Sequence, residues 1–197
     1  MIAPKTKIIF LLLMILIAQV SESKAQRTEA DVFKSLAISH MAAGRYGEAI
    51  DQLNKYVAVN ARDPEGYNLL GICHEKRKQY EWSRLNYRRA IALEEKNQSK
   101  RNEYEKNLQR LIGIWYPLLN KRIEGHQREI AINPNRAFDY LEIGNAYRLM
   151  EIWDKAEQWY DEYLKRDDNA SPDEIIRYTE VLAHTGSIVK GERILKK

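Results

Sequence analysis

A pattern of large, small and aromatic residues recurs along this chain at a spacing of about 34 residues, and few folds produce such a period. The clearest copy runs from Pro64 to Asn97. Counting from Pro64, places 3, 6, 7, 10, 16, 19, 23 and 26 hold Tyr67, Leu70, Gly71, His74, Tyr80, Ser83, Tyr87 and Ala90. One period earlier the same slots hold Phe33, Leu36, Ala37, His40, Tyr46, Ala49, Leu53 and Tyr56. In a unit starting at Ala137 they hold Tyr140, Ile143, Gly144, Tyr147, Trp153, Ala156, Tyr160 and Tyr163. Slots 3, 6 and 10 lie on one face of a helix and predict its buried stripe. The small residues at slots 7 and 19 let a second helix approach closely, and the aromatic at slot 16 opens that second helix. One helix pair cannot bury its apolar face alone, so neighbouring pairs must stack.

These slots resemble the tetratricopeptide repeat family, with one departure: Tyr56 and Tyr163 stand at slot 26, where the family prefers a small residue. The resemblance implies an all-α, right-handed α-solenoid of about five antiparallel helix pairs. It implies a non-enzymatic scaffold without a cofactor, whose first helices line a concave groove for a peptide or partner helix. By resemblance the groove residues are Lys34, Ile38 and Met41, then Asn68, Ile72 and Glu75, then Phe138, Leu141, Asn145 and Arg148. An Asn here could bridge a peptide backbone with donor and acceptor together. Lys34, Asn145 and Arg148 are too few to form the family's clamp on a C-terminal carboxylate.

The repeats fall at about 30–63, 64–97, a degenerate 98–136, 137–171 and 172–197, within a helical domain of residues 26–197. Asp63-Pro64 and Ser171-Pro172 each place a cap before a Pro at the first helical position. Thr28 and Asp31 have capping-box spacing at the first helix. The degenerate stretch predicts a long helix over about 98–116 and a shorter one over about 121–132, with Pro117 bending or ending the first. The last unit leaves Ile188, Val189, Ile194 and Leu195 on its final helix without a polar terminal face, which points to a partner or a second copy at that end.

Residues 1–25 read as a signal peptide. Lys5 and Lys7 precede the apolar run Ile8–Ala18, which is too short for the ~20 residues that span a bilayer. Ser23-Lys24-Ala25 offers small residues for cleavage after Ala25. The expected location is therefore periplasmic or extracellular. The alternative is an uncleaved N-terminal segment that anchors the chain in a membrane, the one membrane contact expected.

Candidate chemistry is sparse. His74-Glu75 opens like a zinc-protease motif, but Lys78 stands where its second His belongs. A metal or enzymatic site around His40, Cys73 and His74 is the rival reading, since the two histidines share slot 10. The bland alternative is imidazole in a slot that Tyr147 fills elsewhere. Cys73 is the sole cysteine, so packing alone must hold the fold. Charge is uneven: Lys76–Arg128 holds 14 basic and 6 acidic residues, Glu129–Glu174 holds 5 and 12. A basic middle meeting an acidic partner, or two copies pairing by charge, would use that asymmetry. The basic stretch carries Trp82, Tyr87, Tyr104 and Trp115, yet an exported chain gives no reason to expect nucleic acid.

Overall fold

The computed structural model describes residues 29–167 and 169–195, so the expected leader and Thr28 lie outside the described residues. The fold is all-α, of the α-solenoid class. In order the helices are α1 (residues 29–42), α2 (Tyr46–Val59), α3 (Pro64–Lys76), α4 (Tyr80–Leu93), α5 (Gln98–Ile132), α6 (Ala137–Leu149), α7 (Trp153–Leu164), α8 (Pro172–Thr185) and α9 (Ile188–Ile194). Asp63 caps α3 by accepting from the Glu65 amide at 3.1 Å. Ser171 and Glu174 form a reciprocal capping box on α8.

Four helix pairs turn in the same way. At the fourteenth place of each unit the backbone is left-handed: Gly44 (φ 71°), Lys78 (60°), Glu151 (60°) and Gly186 (76°). The next amide reaches back to a carbonyl five residues earlier: Arg45 to His40 at 2.9 Å, Gln79 to His74 at 2.9 Å, Ile152 to Tyr147 at 3.0 Å and Ser187 to Leu182 at 2.9 Å. This closure satisfies carbonyls that a helix end otherwise strands.

The chain divides into two compact units, one ending at Leu111 and one beginning at Ile112. The first has a core of Ala37, Ala49, Ile50, Leu53, Leu70 and Cys73. The second is built on Tyr140, Leu141, Ala156, Tyr160, Tyr163, Tyr178, Val181 and Leu182. Within each, a tyrosine of the second helix lies over the glycine of the first. A Cβ on Gly71 would sit 2.5 Å from the Tyr87 ring, and one on Gly144 would sit 3.3 Å from Tyr160. Ser83 adds a hydroxyl that donates to the Gly71 carbonyl at 2.8 Å. The slot-26 tyrosines have their own role. Tyr56 donates its hydroxyl to Asp63, the cap of α3, and Tyr163 donates to Glu174 of the α8 capping box at 2.9 Å. Both are buried.

Residues 98–136 depart from expectation. They hold one helix of 35 residues, with Pro117 inside it, instead of two helices. Proline removes one backbone hydrogen bond and costs about 3 kcal/mol in a helix interior. Against that, Tyr104, Leu111, Trp115, Leu119 and Ile123 are buried at spacings of seven and four on either side of it. Each such side chain contributes about 1.5–3 kcal/mol when buried, so a continuous stripe outweighs the proline.

Gly71→Ala should overpack Tyr87 and lower stability by about 1–3 kcal/mol. Gly144→Ala meets only a tight contact, and the helix-propensity gain of about 1 kcal/mol should leave it near neutral. Chemical denaturation of both variants measures the difference; equal effects would disprove it.

Glu157 gives a pH prediction. Its burial opposes ionisation, but hydrogen bonds from Thr185, Lys190 and Ser187 outweigh that and hold its carboxyl below the usual range. A carboxyl depressed in the folded state stabilises above its unfolded pKa, and the effect is lost as pH falls through the folded value. Glu157→Gln should therefore lower Tm near neutral pH and flatten its fall between about pH 5 and pH 2. A parallel pH profile in wild type and variant would refute this.

Candidate partner-binding face

The first helices of successive pairs carry the expected groove residues, and in each unit these are tied to one another. In the first unit Lys34 of α1 pairs with Glu65 of α3 at 2.7 Å and with Asp63 at 3.7 Å. Lys100 of α5 reaches the same Glu65 at 3.9 Å. Asn107 of α5 donates to the buried Asn68 side chain at 3.0 Å. Glu75 accepts from Tyr87 at 2.8 Å and from Arg110 at 3.0 Å. Burial first, and then the Glu75 carboxylate, push the Tyr87 hydroxyl above its ordinary range. Met41 is half-buried against the core and Ile72 is half-buried. Ile38 remains 48% exposed.

In the second unit the α5 and α6 helices are joined by an Arg122–Glu142 ion pair. Asn145 donates to Glu142 at 3.1 Å, and its carbonyl accepts from Tyr160 at 2.6 Å and from Arg177 of α8 at 3.4 Å. Arg148 pairs with Glu180 of α8 at 3.0 Å. Leu141 is buried in the core. Phe138 is 51% exposed, with the His126 ring edge-on at 5.9 Å and the Arg136 guanidinium 5.8 Å from its centroid. His126 also meets the buried carboxylate of Asp139 at 2.7 Å.

Two of the ten residues, Ile38 and Phe138, therefore present large exposed apolar side chains. The polar ones, Lys34, Asn68, Glu75, Asn145 and Arg148, bridge neighbouring helices. Asn68 and Asn145 in particular are enclosed, because the next repeat's first helix lies alongside them. The bridging residues Asn107, Arg110, Arg122, His126 and Asp139 were not expected from the sequence. The first four lie in the degenerate stretch, where slot numbering breaks down, and Asp139 lies in the first turn of its helix, where an acid is ordinary.

The rival site around His40, Cys73 and His74 is accounted for by local contacts. The Arg45 side chain donates to His40 Nδ1 at 3.1 Å, and His74 Nδ1 lies 2.9 Å from Gln79 Oε1. Both imidazoles thus brace the turn that follows their helix. Cys73 is fully buried, and burial pushes its thiol up to about 11. Among the described residues no group of three or more His, Cys, Asp or Glu side chains could hold a metal ion. Among them, too, no helix is long and apolar enough to cross a membrane.

Asn145→Ala should remove the acceptor of the buried Tyr160 hydroxyl, leave it Arg148 alone, and cost about 1 kcal/mol. A double-mutant cycle with Tyr160→Phe should return a coupling of at least ~0.5 kcal/mol. Additive effects would show that the hydrogen bond does not hold the pair together.

Comparison with known proteins matches one family and several structures. The tetratricopeptide repeat family model matches residues 35–99. No curated protein matches the chain. Among solved structures, a crystal structure of MamA protein is 23% identical, covering 74% of this chain and 76% of that one, with a TM-score of 0.41. MamA from Desulfovibrio magneticus RS-1 is 13% identical over 85% of this chain and 92% of that one, with a TM-score of 0.41. YrrB, described as a TPR protein with an unusual peptide-binding site, is 12% identical over 90% and 88%, also with a TM-score of 0.41. The matched segment covers α2, α3, α4 and most of α1, the part that carries the clearest period. Over those residues the chain matches the tetratricopeptide repeat family.

Proposed function

We propose that this protein is an exported, non-enzymatic scaffold that holds a segment of a protein partner against the first-helix faces of its repeats. The observation that carries the reading is the tetratricopeptide repeat itself, with Ile38 left exposed on α1 beside helices already bound to one another. A face whose polar groups are laced in advance loses little side-chain freedom when a partner arrives. Ile38 and Phe138 serve as apolar contacts, each within its own unit, and Lys34, Glu75 and Arg148 hold the helices that carry them. Export is supported by Lys5 and Lys7 ahead of Ile8–Ala18 and by the small residues around Ala25.

Photo-crosslinking in the native host, with probes at Ile38 and Phe138 and a control at exposed Asp51, tests this. Adducts to a partner at Ile38 or Phe138 but not at Asp51 are expected, on a mature chain beginning at Gln26. Adducts confined to Asp51 would overturn the face, and an unprocessed N-terminus would overturn cleavage.

A second reading has its own observation. Ile176 on α8 and Ile188 and Val189 on α9 are more than half exposed. A structural subunit that assembles through this end would bury them. Sedimentation velocity should then show a species that grows with concentration and is lost in Ile188→Asp/Val189→Asp; a monomer at all concentrations removes this reading.

A further inference from the structure

The outer face of α4, in the first unit, carries apolar side chains that the fold does not use. α4 buries Ser83, Arg84, Tyr87 and Ala90. On its other side Trp82 is 60% exposed and Leu85 is 47% exposed, one turn apart. The equivalent places hold Glu48 and Asp51 in α2 and Lys155 and Gln158 in α7. The repeat therefore works with polar residues here, and Trp82 and Leu85 answer to something else.

Three further observations describe what that is. The Trp82 ring is held in place, stacked on His74 at 6.3 Å between centroids and 29° between planes, while His74 is itself fixed by Gln79. A fixed, exposed tryptophan is the residue type that interface anchors favour. Second, the exposed cations Lys76, Arg77 and Lys78 lie at the turn leading into α4, and exposed Arg88 and Arg89 follow along it. Third, Lys78 sets one of these cations at the left-handed place of the turn, which Glu151 fills in another pair and Gly44 and Gly186 in the other two. A non-glycine residue there costs roughly 1–2 kcal/mol.

We infer that the outer face of α4, Trp82 and Leu85 ringed by Lys76, Lys78, Arg88 and Arg89, docks an acidic protein segment that presents an apolar side chain. The cations select the acid, and the Trp82–Leu85 pair selects its apolar residue. A membrane is the weaker match, since interfacial helices bury a long apolar stripe and this face offers two large apolar residues. Nucleic acid would leave Leu85 without an aliphatic counterpart. This face is separate from Ile38 and Phe138, so it stands or falls apart from the first-helix contacts.

The test uses the chain from Gln26 on and a labelled synthetic peptide of about 15 residues, Glu-rich around two Leu and one Phe, with a Gln-for-Glu control. Fluorescence anisotropy should show saturable binding of the acidic peptide, weakened about tenfold or more by Trp82→Ala/Leu85→Ala and by Arg88→Glu/Arg89→Glu. Lys78→Gly should weaken binding while raising Tm, a pairing that loss of folding cannot produce. Ile38→Asp should leave binding unchanged. The inference fails if the acidic peptide binds no better than its Gln control, or if the α4 variants bind like wild type. It also fails if Trp82 responds instead to vesicles with about one-third anionic lipid or to a single-stranded oligonucleotide.

Discussion

Two of the helix pairs depend on a tyrosine ring packed against a glycine of the facing helix. Tyr87 over Gly71 and Tyr160 over Gly144 set how near two helix axes come, and other contacts follow from that distance. Ser83 can reach the Gly71 carbonyl because the helices are this close. The same closeness carries the tyrosine hydroxyls across to Glu75 and Asn145, on the faces that meet the next repeat. One aromatic side chain thus packs its own pair and orients the polar group that binds the neighbouring one.

That second task explains why so much of the expected groove is engaged. Buried polar groups are tolerated where every hydrogen-bonding atom finds a partner, and they discriminate strongly between registers. Asn68 with Asn107, and Asn145 with Tyr160 and Arg177, admit one lateral alignment of first helices. Leucine at those positions would pack in several. Of the expected groove residues, Ile38 on one helix and Phe138 on another keep exposed apolar surface, beside side chains already fixed.

Much of the pair geometry was legible in the sequence, because period and residue size encode it directly. The places of Gly71, Tyr87, Ala49 and Ala156 follow from counting, and α2 to α4 begin where Tyr46, Pro64 and Tyr80 mark them. What repetition does not encode is the lateral neighbour. Asn107 and Arg110 belong to a stretch with no slot numbers, so their pairing with Asn68 and Glu75 had no signal to find. Pro117 misled for a related reason: the local rule favours a break, while the buried series from Tyr104 to Ile123 extends past it. The tyrosines at slot 26 departed from the family preference, and their use became visible once Asp63 and Glu174 were seen at the caps they support.

The four alike turns bear on the order in which the chain acquires its structure. Each turn is closed by backbone groups no more than five residues apart, so its formation needs nothing distant in sequence. Loop closure of that length is fast, and chains dominated by such contacts assemble quickly. A polypeptide that emerges end first, from a ribosome or a translocation pore, can therefore set each helical hairpin as it appears. Lateral side-chain pairing can then follow hairpin by hairpin, in the direction of delivery, each pair completing its burial when the next one stacks on it.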